Sequence, residues 1–377
     1  MKQDEILDTA FGQYALARFP LQKNTPLRAW DAADEYLLSY LDENKVISPA
    51  SRVLIINDGF GALSLSLQQY TVQNWSDSFL SHQACLNNFQ DNGCTNAPLL
   101  IPSTQQPQGI FDVVLIKIPK TLALLEDFLI RLKAHIHTET QIIAAAMLKH
   151  LPKSALLLFE KILGQSRTSL AKKKARLIFS RYEQMQTQLQ SPYPNSYFES
   201  STGLNLQHHA NVFSKDKLDI GTRFFLQQFK QLPTAQHIVD LGCGDGILGI
   251  MAQKYHQDAQ LSFVDESYMA IASAQSNYQA VYTDKQADFI VNHALQKLTQ
   301  PADLILCNPP FHQQHSISDF IAWQMFQQSW QQLKTGGQLW IVGNRHLRYQ
   351  SKLKKLFGNC QQVATNRKFT VLAAKKV

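Results

Sequence analysis

Cysteine is scarce in this 377-residue chain: Cys85, Cys94, Cys243, Cys307 and Cys360, with no CxxC pair among them. An odd, scattered set argues against a disulfide framework and for a reducing compartment. Cys243 and Cys307 stand beside motif residues, where a reactive role has to be weighed, and small apolar fillers at strand ends are the favoured reading. The histidines form no HxxxH pair and no His/Cys cluster with metal-ligand spacing, so no metal is expected. Long apolar runs are missing as well. The N-terminus lacks the apolar core of a signal peptide, and no apolar run reaches the ~18 residues of a membrane helix. A soluble, cytoplasmic protein without a membrane partner is expected. Charged residues make up only 17% of the chain and hydrophobic ones 45%, an ordinary globular balance. The net charge of +7 and a pI near 9.0 allow a polyanionic partner without requiring one. The excess is mostly C-terminal, with 17 basic and 12 acidic residues in 191–377 against 19 and 17 in 1–190.

The length favours two domains. A polar stretch from Gln184 to Ser196, rich in Gln, Ser and Pro, separates two strand–helix alternations. The boundary is set near residue 190, giving domains 1–190 and 191–377. In the second, strands are expected at 237–241, 261–265, 287–291, 303–307 and 338–342. Helices are expected near 246–256, 267–280 and 317–334, the last stopping at Thr335-Gly336-Gly337. A basic helix at 347–357 and a hairpin turning at Asn366-Arg367 complete the domain. The alternation predicts an α/β fold, a doubly wound parallel sheet with an antiparallel end.

The first half echoes the second. Val53 to Leu63 resembles Ile238 to Leu248 when Gly59 and Gly61 are set on Gly244 and Gly246. Lys117-Ile118-Pro119-Lys120 then falls where the second half has Asn308-Pro309-Pro310-Phe311. Ile55 replaces Asp240, Asn57 replaces Gly242, and Lys117 and Lys120 replace Asn308 and Phe311. The favoured reading is a duplication whose N-terminal copy has lost its chemistry, the alternative being convergence of two unrelated α/β domains.

Three motifs carry chemistry. In Asp240-Leu241-Gly242-Cys243-Gly244-Asp245-Gly246-Ile247-Leu248-Gly249, glycines let the backbone turn tightly against a ligand. A formal G-x-G-x-x-G admits a dinucleotide. The preceding Asp240, however, suits the cationic amine and sulfonium of S-adenosylmethionine and would repel a pyrophosphate. Asp265, at the tip of the second strand, is placed to accept the ribose hydroxyls of an adenosine, a reading equally compatible with NAD. Asn292 and His293, ending the third strand, are candidates for the adenine edge, a solvated loop being the alternative. In Asn308-Pro309-Pro310-Phe311 two prolines force the chain rigidly off the sheet edge. The Asn308 amide and the Pro309 carbonyl then offer the two acceptors that hold an exocyclic amine, and Phe311 offers a stacking face.

These motifs, in this order, resemble those of class I methyltransferases acting on amino groups. With Asn211-Val212-Phe213-Ser214, Leu218-Asp219-Ile220-Gly221-Thr222-Arg223 and Gly343-Asn344-Arg345-His346, nearly the whole chain is similar to the bacterial ribosomal RNA guanine-N2 methyltransferases. The stretches Pro26 to Leu38 and Lys117 to Glu126 look most like members acting on the large subunit. The resemblance implies two tandem class I methyltransferase (Rossmann-like) domains, the N-terminal one degenerate and helping to bind or present RNA. It implies S-adenosylmethionine as cofactor, Asp219 and Gly221 in a loop covering it, and a guanine N2 in 23S ribosomal RNA, protein-free or in early assembly, as target. A monomer is expected. Without the family, Asp219 reads equally well as a helix cap. Small-subunit RNA, protein glutamine or DNA adenine remain alternative substrates, and a non-catalytic RNA-binding assembly protein is the alternative of a different class. Of two basic runs, Arg345, His346, Arg348, Lys352, Lys354 and Lys355 are favoured as RNA contacts. Lys172-Lys173-Lys174-Ala175-Arg176 is read as a solvated face.

Overall fold

Strands with buried centres, most of the parallel ones followed by a helix, organise both halves of the chain. A computed structural model describes residues 5–21, 27–184, 189–212, 217–296, 298–310 and 315–377. It separates into one unit reaching Tyr193 and a second starting at Pro194.

In the first unit a hairpin, β1 (Ile6–Thr9) and β2 (Gly12–Ala15), precedes a seven-stranded sheet. The sheet strands are β3 (Arg52–Ile56), β4 (Thr71–Ser76), β5 (Leu99–Pro102), β6 (Val113–Lys117), β7 (Gln141–Met147), β8 (Ser166–Thr168) and β9 (Ala175–Ser180). Their order is β5-β4-β3-β6-β7-β9-β8. The second unit opens with a hairpin that the sequence pattern does not announce, β10 (Asn195–Glu199) and β11 (Leu204–His208). There follow β12 (His237–Leu241), β13 (Gln260–Asp265), β14 (Asp288–Val291), β15 (Ala302–Cys307), β16 (Leu333–Asn344), β17 (Gln361–Thr365) and β18 (Phe369–Lys375). Their order, β14-β13-β12-β15-β16-β18-β17, repeats the first sheet strand for strand. In each sheet five strands are parallel and the last two pair antiparallel. The expected α/β fold of two Rossmann-like domains is what the chain adopts.

Alternation along the strands makes two cores per sheet. In the second unit Ile238, Leu304, Leu306, Trp340 and Val342 pack on one face with Leu248 and Ile250 of the helix Ile247–Tyr255. Val239, Leu241, Ile305, Cys307, Leu339 and Ile341 pack on the other with Phe326 and Leu353. One boundary differs from the sequence expectation. The helix His315–Gln332 ends early, and β16 begins at Leu333 rather than after the glycines. Pairing with β15 starts at Ala302↔Leu333, jumps, and resumes at Leu304↔Gln338. Gly336, at φ 84, makes the irregularity, so Thr335-Gly336-Gly337 is a bulge inside a strand rather than a helix stop.

Candidate active site

The order of the second sheet reverses at β12, whose neighbours β13 and β15 lie on either side. A crevice outside the carboxyl ends of the strands forms at such a reversal, and the motif residues fall there.

Asp240 is buried at 1% exposure on β12, and its Oδ2 accepts the Gly249 N–H at 2.8 Å. The carboxylate thus clamps the glycine turn to the helix behind it. Its Oδ1 is buried with no hydrogen-bond partner. Burial pushes the Asp240 carboxyl well above the usual carboxylate range, and the neighbouring Asp245 and Asp265 push the same way. Gly242, Gly244 and Gly246 all have positive φ (69, 55 and 81). The Gly244 N–H donates to Asp265 Oδ2 at 3.0 Å, and the Ser267 N–H to Asp265 Oδ1 at 3.0 Å. Asp265 is held at its strand tip by both bonds, and burial raises its carboxyl. Next to it Asn292 donates its backbone N–H to the Asp265 carbonyl at 2.9 Å. The Asn292 side-chain Nδ2 is buried without a partner. His293 is also buried, which lowers its imidazole below the ordinary value.

Asn308 follows directly on β15. Its Nδ2 donates to Thr222 Oγ1 at 2.9 Å and lies 3.5 Å from Asp219 Oδ2. Its Oδ1 is buried and has no partner. Asp219 caps the helix Ile220–Leu226, accepting the Thr222 N–H at 2.9 Å, as its reading without the family allowed. Gly221 is the second residue of that helix, where a Cβ would stand 2.9 Å from Asp219 Oδ2. Pro309 is buried and Pro310 exposed. Phe311 lies outside the described residues, as do Phe213 and Ser214.

Sequence reasoning misses the partners that hold these residues in place. Thr222 is visible there only as part of a motif string. Asp245 Oδ2 meets His208 Nε2 at 2.9 Å, tying the β10–β11 hairpin to the glycine turn. Asn277 holds that junction too, donating to the carbonyls of Gln207 and Asp245 at 3.0 and 2.9 Å. Cys243 and Cys307 are buried and their thiols pushed well up, first by burial and then by the nearby carboxylates. Their burial suits small apolar fillers.

The first unit has the same frame with different contents. Asn57 holds φ 64 where Gly242 holds φ 69. Ile55 takes the place of Asp240 on the strand, and the carboxylate comes instead from Asp58, which accepts from Ser64 N and Oγ, both at 2.8 Å. Lys117, in the place of Asn308, is bridged at 2.8 Å each by Asp31 and Asp34. These are the cap and third residue of the helix Ala32–Glu43, as Asp219 and Thr222 are in theirs. A buried ion pair fills the place of the amide.

Of the basic runs, Lys173 pairs with Glu35 at 3.0 Å and Lys172 with Glu43 at 3.7 Å on that same helix. In the other run Arg345, His346, Arg348, Lys354 and Lys355 are exposed, while Lys352 pairs with Asp319. No described helix is long and apolar enough to cross a membrane.

Family models match both units: the RLMG N-terminal domain over residues 4–184 and the Methyltransferase small domain over residues 203–373. The Ribosomal RNA large subunit methyltransferase G of Ectopseudomonas mendocina is 49% identical over 376 residues, covering 98% of this chain and 100% of that one. The protein of the same name from Pseudomonas putida (strain W619) is 46% identical over 374 residues, with the same coverage. The chain belongs to the ribosomal RNA large subunit methyltransferase G family. Among solved structures, the T. thermophilus 16S rRNA N2 methyltransferase in complex with AdoMet and guanosine is 19% identical. It covers 99% of this chain and 97% of its own at a TM-score of 0.77, a likeness of fold.

The family implies S-adenosylmethionine, and the residues fit it. Three carboxylates near the glycine turn suit a ligand carrying a cationic amine and sulfonium. Unpartnered buried atoms at Asp240 Oδ1, Asn292 Nδ2 and Asn308 Oδ1 mark the crevice as built for polar contacts. Asp219, Gly221, Asp240, Gly242, Gly244, Gly246, Asp265, Asn292, His293 and Asn308 are the residues available to hold it.

Proposed function

We propose that the C-terminal unit methylates the exocyclic N2 amine of a guanine in large-subunit ribosomal RNA. S-adenosylmethionine is the methyl donor. When bound it supplies a methyl group activated by positive sulfur, so that transfer leaves a neutral thioether and one proton departs from the acceptor nitrogen. With so activated a donor, the protein's task is positioning rather than early proton abstraction. The observation that carries the reading is the Asn308 amide, fixed through its nitrogen with its buried oxygen left without a partner. That oxygen and the Pro309 carbonyl hold the two amine hydrogens and turn the nitrogen lone pair toward the methyl group. Phe311 stacks on the base, which is extruded from the RNA to reach the site. Asp265 binds the ribose hydroxyls through lone pairs left beside its backbone bonds, and Asn292 and His293 face the adenine. The exposed basic residues Arg345, His346, Arg348, Lys354 and Lys355 contact RNA phosphates.

The N-terminal unit no longer transfers methyl groups. Its Lys117–Asp31–Asp34 cluster occupies the counterpart of the catalytic amide, and its remaining role is RNA binding or presentation. The substrate is RNA that is protein-free or in early assembly, and the enzyme acts as a cytoplasmic monomer. Methyl transfer to RNA, DNA and protein pools, assayed in parallel with labelled donor, tests the reading. Label is expected in ribosomal RNA alone and is lost in Asn308→Ala with cofactor affinity nearly unchanged. Label in DNA or protein, or normal turnover by that variant, would overturn it.

A further inference from the structure

We propose that Thr222, with Asp219 behind it, is a positioning residue that locks the Asn308 amide in the one orientation able to receive the target amine. The inference rests on the amine-methylation reading above. An asparagine amide presents an acceptor and a donor of nearly the same shape, and half a turn exchanges them. Flipped, Asn308 would set its NH2 against another NH2, two donors face to face. The surroundings forbid the flip. Asp219, as a carboxylate, can only accept; its Oδ2 already takes the Thr222 N–H at 2.9 Å and receives the Thr222 hydroxyl at 3.4 Å. With its proton directed there, Thr222 Oγ1 presents lone pairs to Asn308, and the Asn308 nitrogen sits 2.9 Å away. A flipped amide would bring its oxygen against the Thr222 oxygen and toward the Asp219 carboxylate, leaving the single Thr222 hydroxyl proton to serve three acceptors. The freed oxygen therefore faces the substrate.

The first unit supplies an independent instance of the rule. There the side chain at the end of β6 is Lys117, a donor carrying a full charge, and the third helix position changes with it from threonine to Asp34. Cap and third residue together match the donor they hold: carboxylate and hydroxyl for an amide, two carboxylates for an ammonium. The close fit at Gly221, where a Cβ would meet Asp219 Oδ2 at 2.9 Å, keeps the cap carboxylate free to make these contacts.

Thr222→Val removes the hydroxyl at nearly constant shape, and Thr222→Ser restores it. Steady-state methylation of ribosomal RNA by the full-length protein, with calorimetric titration of S-adenosylmethionine, separates positioning from folding. Valine is expected to lower kcat about 10- to 100-fold, with the RNA KM and the cofactor Kd changed by less than about threefold; serine recovers most of the rate. Wild-type turnover in Thr222→Val would overturn the proposal. So would a loss that serine leaves unrescued, or one matched by an equal loss of cofactor affinity, since either assigns Thr222 a merely structural part. A wild-type protein that methylates no RNA overturns the functional reading instead.

Discussion

Replacing Lys117 by methionine tests whether the first unit's counterpart of Asn308 belongs to a structural ion pair. Removing one partner of a buried pair typically costs about 3–5 kcal/mol, because the other charge is left uncompensated. The two acids share this unequally. The Asp31 side chain is 47% exposed and its pairing is worth less than ~1 kcal/mol, whereas the Asp34 side chain is only 7% exposed. Most of the cost therefore falls on Asp34. Burial raises the Asp34 carboxyl to about 6, against the opposing pull of Lys117; without the lysine it rises further. A carboxyl whose folded value exceeds its unfolded value binds its proton more tightly when folded. Stability then falls as pH climbs from the unfolded value, near 4, through the folded one, by ~1.4 kcal/mol per unit of the difference. In Lys117→Met this window reaches past pH 6, so the deficit is largest in mild alkali and shrinks on acidification. Urea unfolding followed by Trp30 and Trp75 fluorescence, both residues being buried in the first unit, should show a loss of about 3–5 kcal/mol at pH 8 and a smaller one at pH 6. Lys117→Met with Asp34→Leu should recover most of it, since apolar residues can replace a buried pair. A variant as stable as wild type at pH 8, or a deficit that grows on acidification, would refute this reasoning.

Gly249→Ala would place a Cβ 2.3 Å from the Phe263 ring, which stacks on Phe289 at 5.2 Å; overpacking should destabilise the second unit by about 1–3 kcal/mol in chemical unfolding. Asp265→Ala should weaken S-adenosylmethionine binding by calorimetry about tenfold or more, leaving Gly244 and Ser267 without their acceptor; unchanged affinity would remove Asp265 from the cofactor site. Lys354→Ala with Lys355→Ala should weaken RNA binding and reduce its salt slope by roughly one for each phosphate no longer neutralised. The same change at Lys172 and Lys173, already paired with Glu43 and Glu35, should leave the slope as it was.

Most of the frame is legible in the sequence because strand–helix alternation and glycine turns are local signals. All five expected C-terminal parallel strands appear within a few residues of their expected positions, except that β16 starts before its glycines. Its first residues pair with β15 across a bulge, and propensity carries no trace of such pairing. The β10–β11 hairpin is hidden because polar residues alternate with Leu204 and Leu206 in a segment that otherwise reads as linker. Asp240, Asp265 and Asn308 are legible as strand-tip residues, since a charge or amide at the carboxyl end of a buried strand stands out. Their partners are not. Thr222 meets Asn308 across 86 residues and His208 meets Asp245 across 37, distances at which sequence patterns say nothing about proximity. Asp58 shows the same limit from the other side. Aligning the halves reveals a missing acid at Ile55, and only the fold shows that a carboxylate three residues later reaches Ser64 in its stead.

The proposed reaction is methylation, at the site around Asn308, of a guanine amine in large-subunit ribosomal RNA. Nucleoside mapping by mass spectrometry of protein-free ribosomal RNA incubated with S-adenosylmethionine and either the wild-type protein or Asn308→Ala tests it most directly. N2-methylguanosine is expected in 23S RNA with the wild type and none with the variant. Methylation of a different atom or of 16S RNA, or the same product from Asn308→Ala, would contradict it.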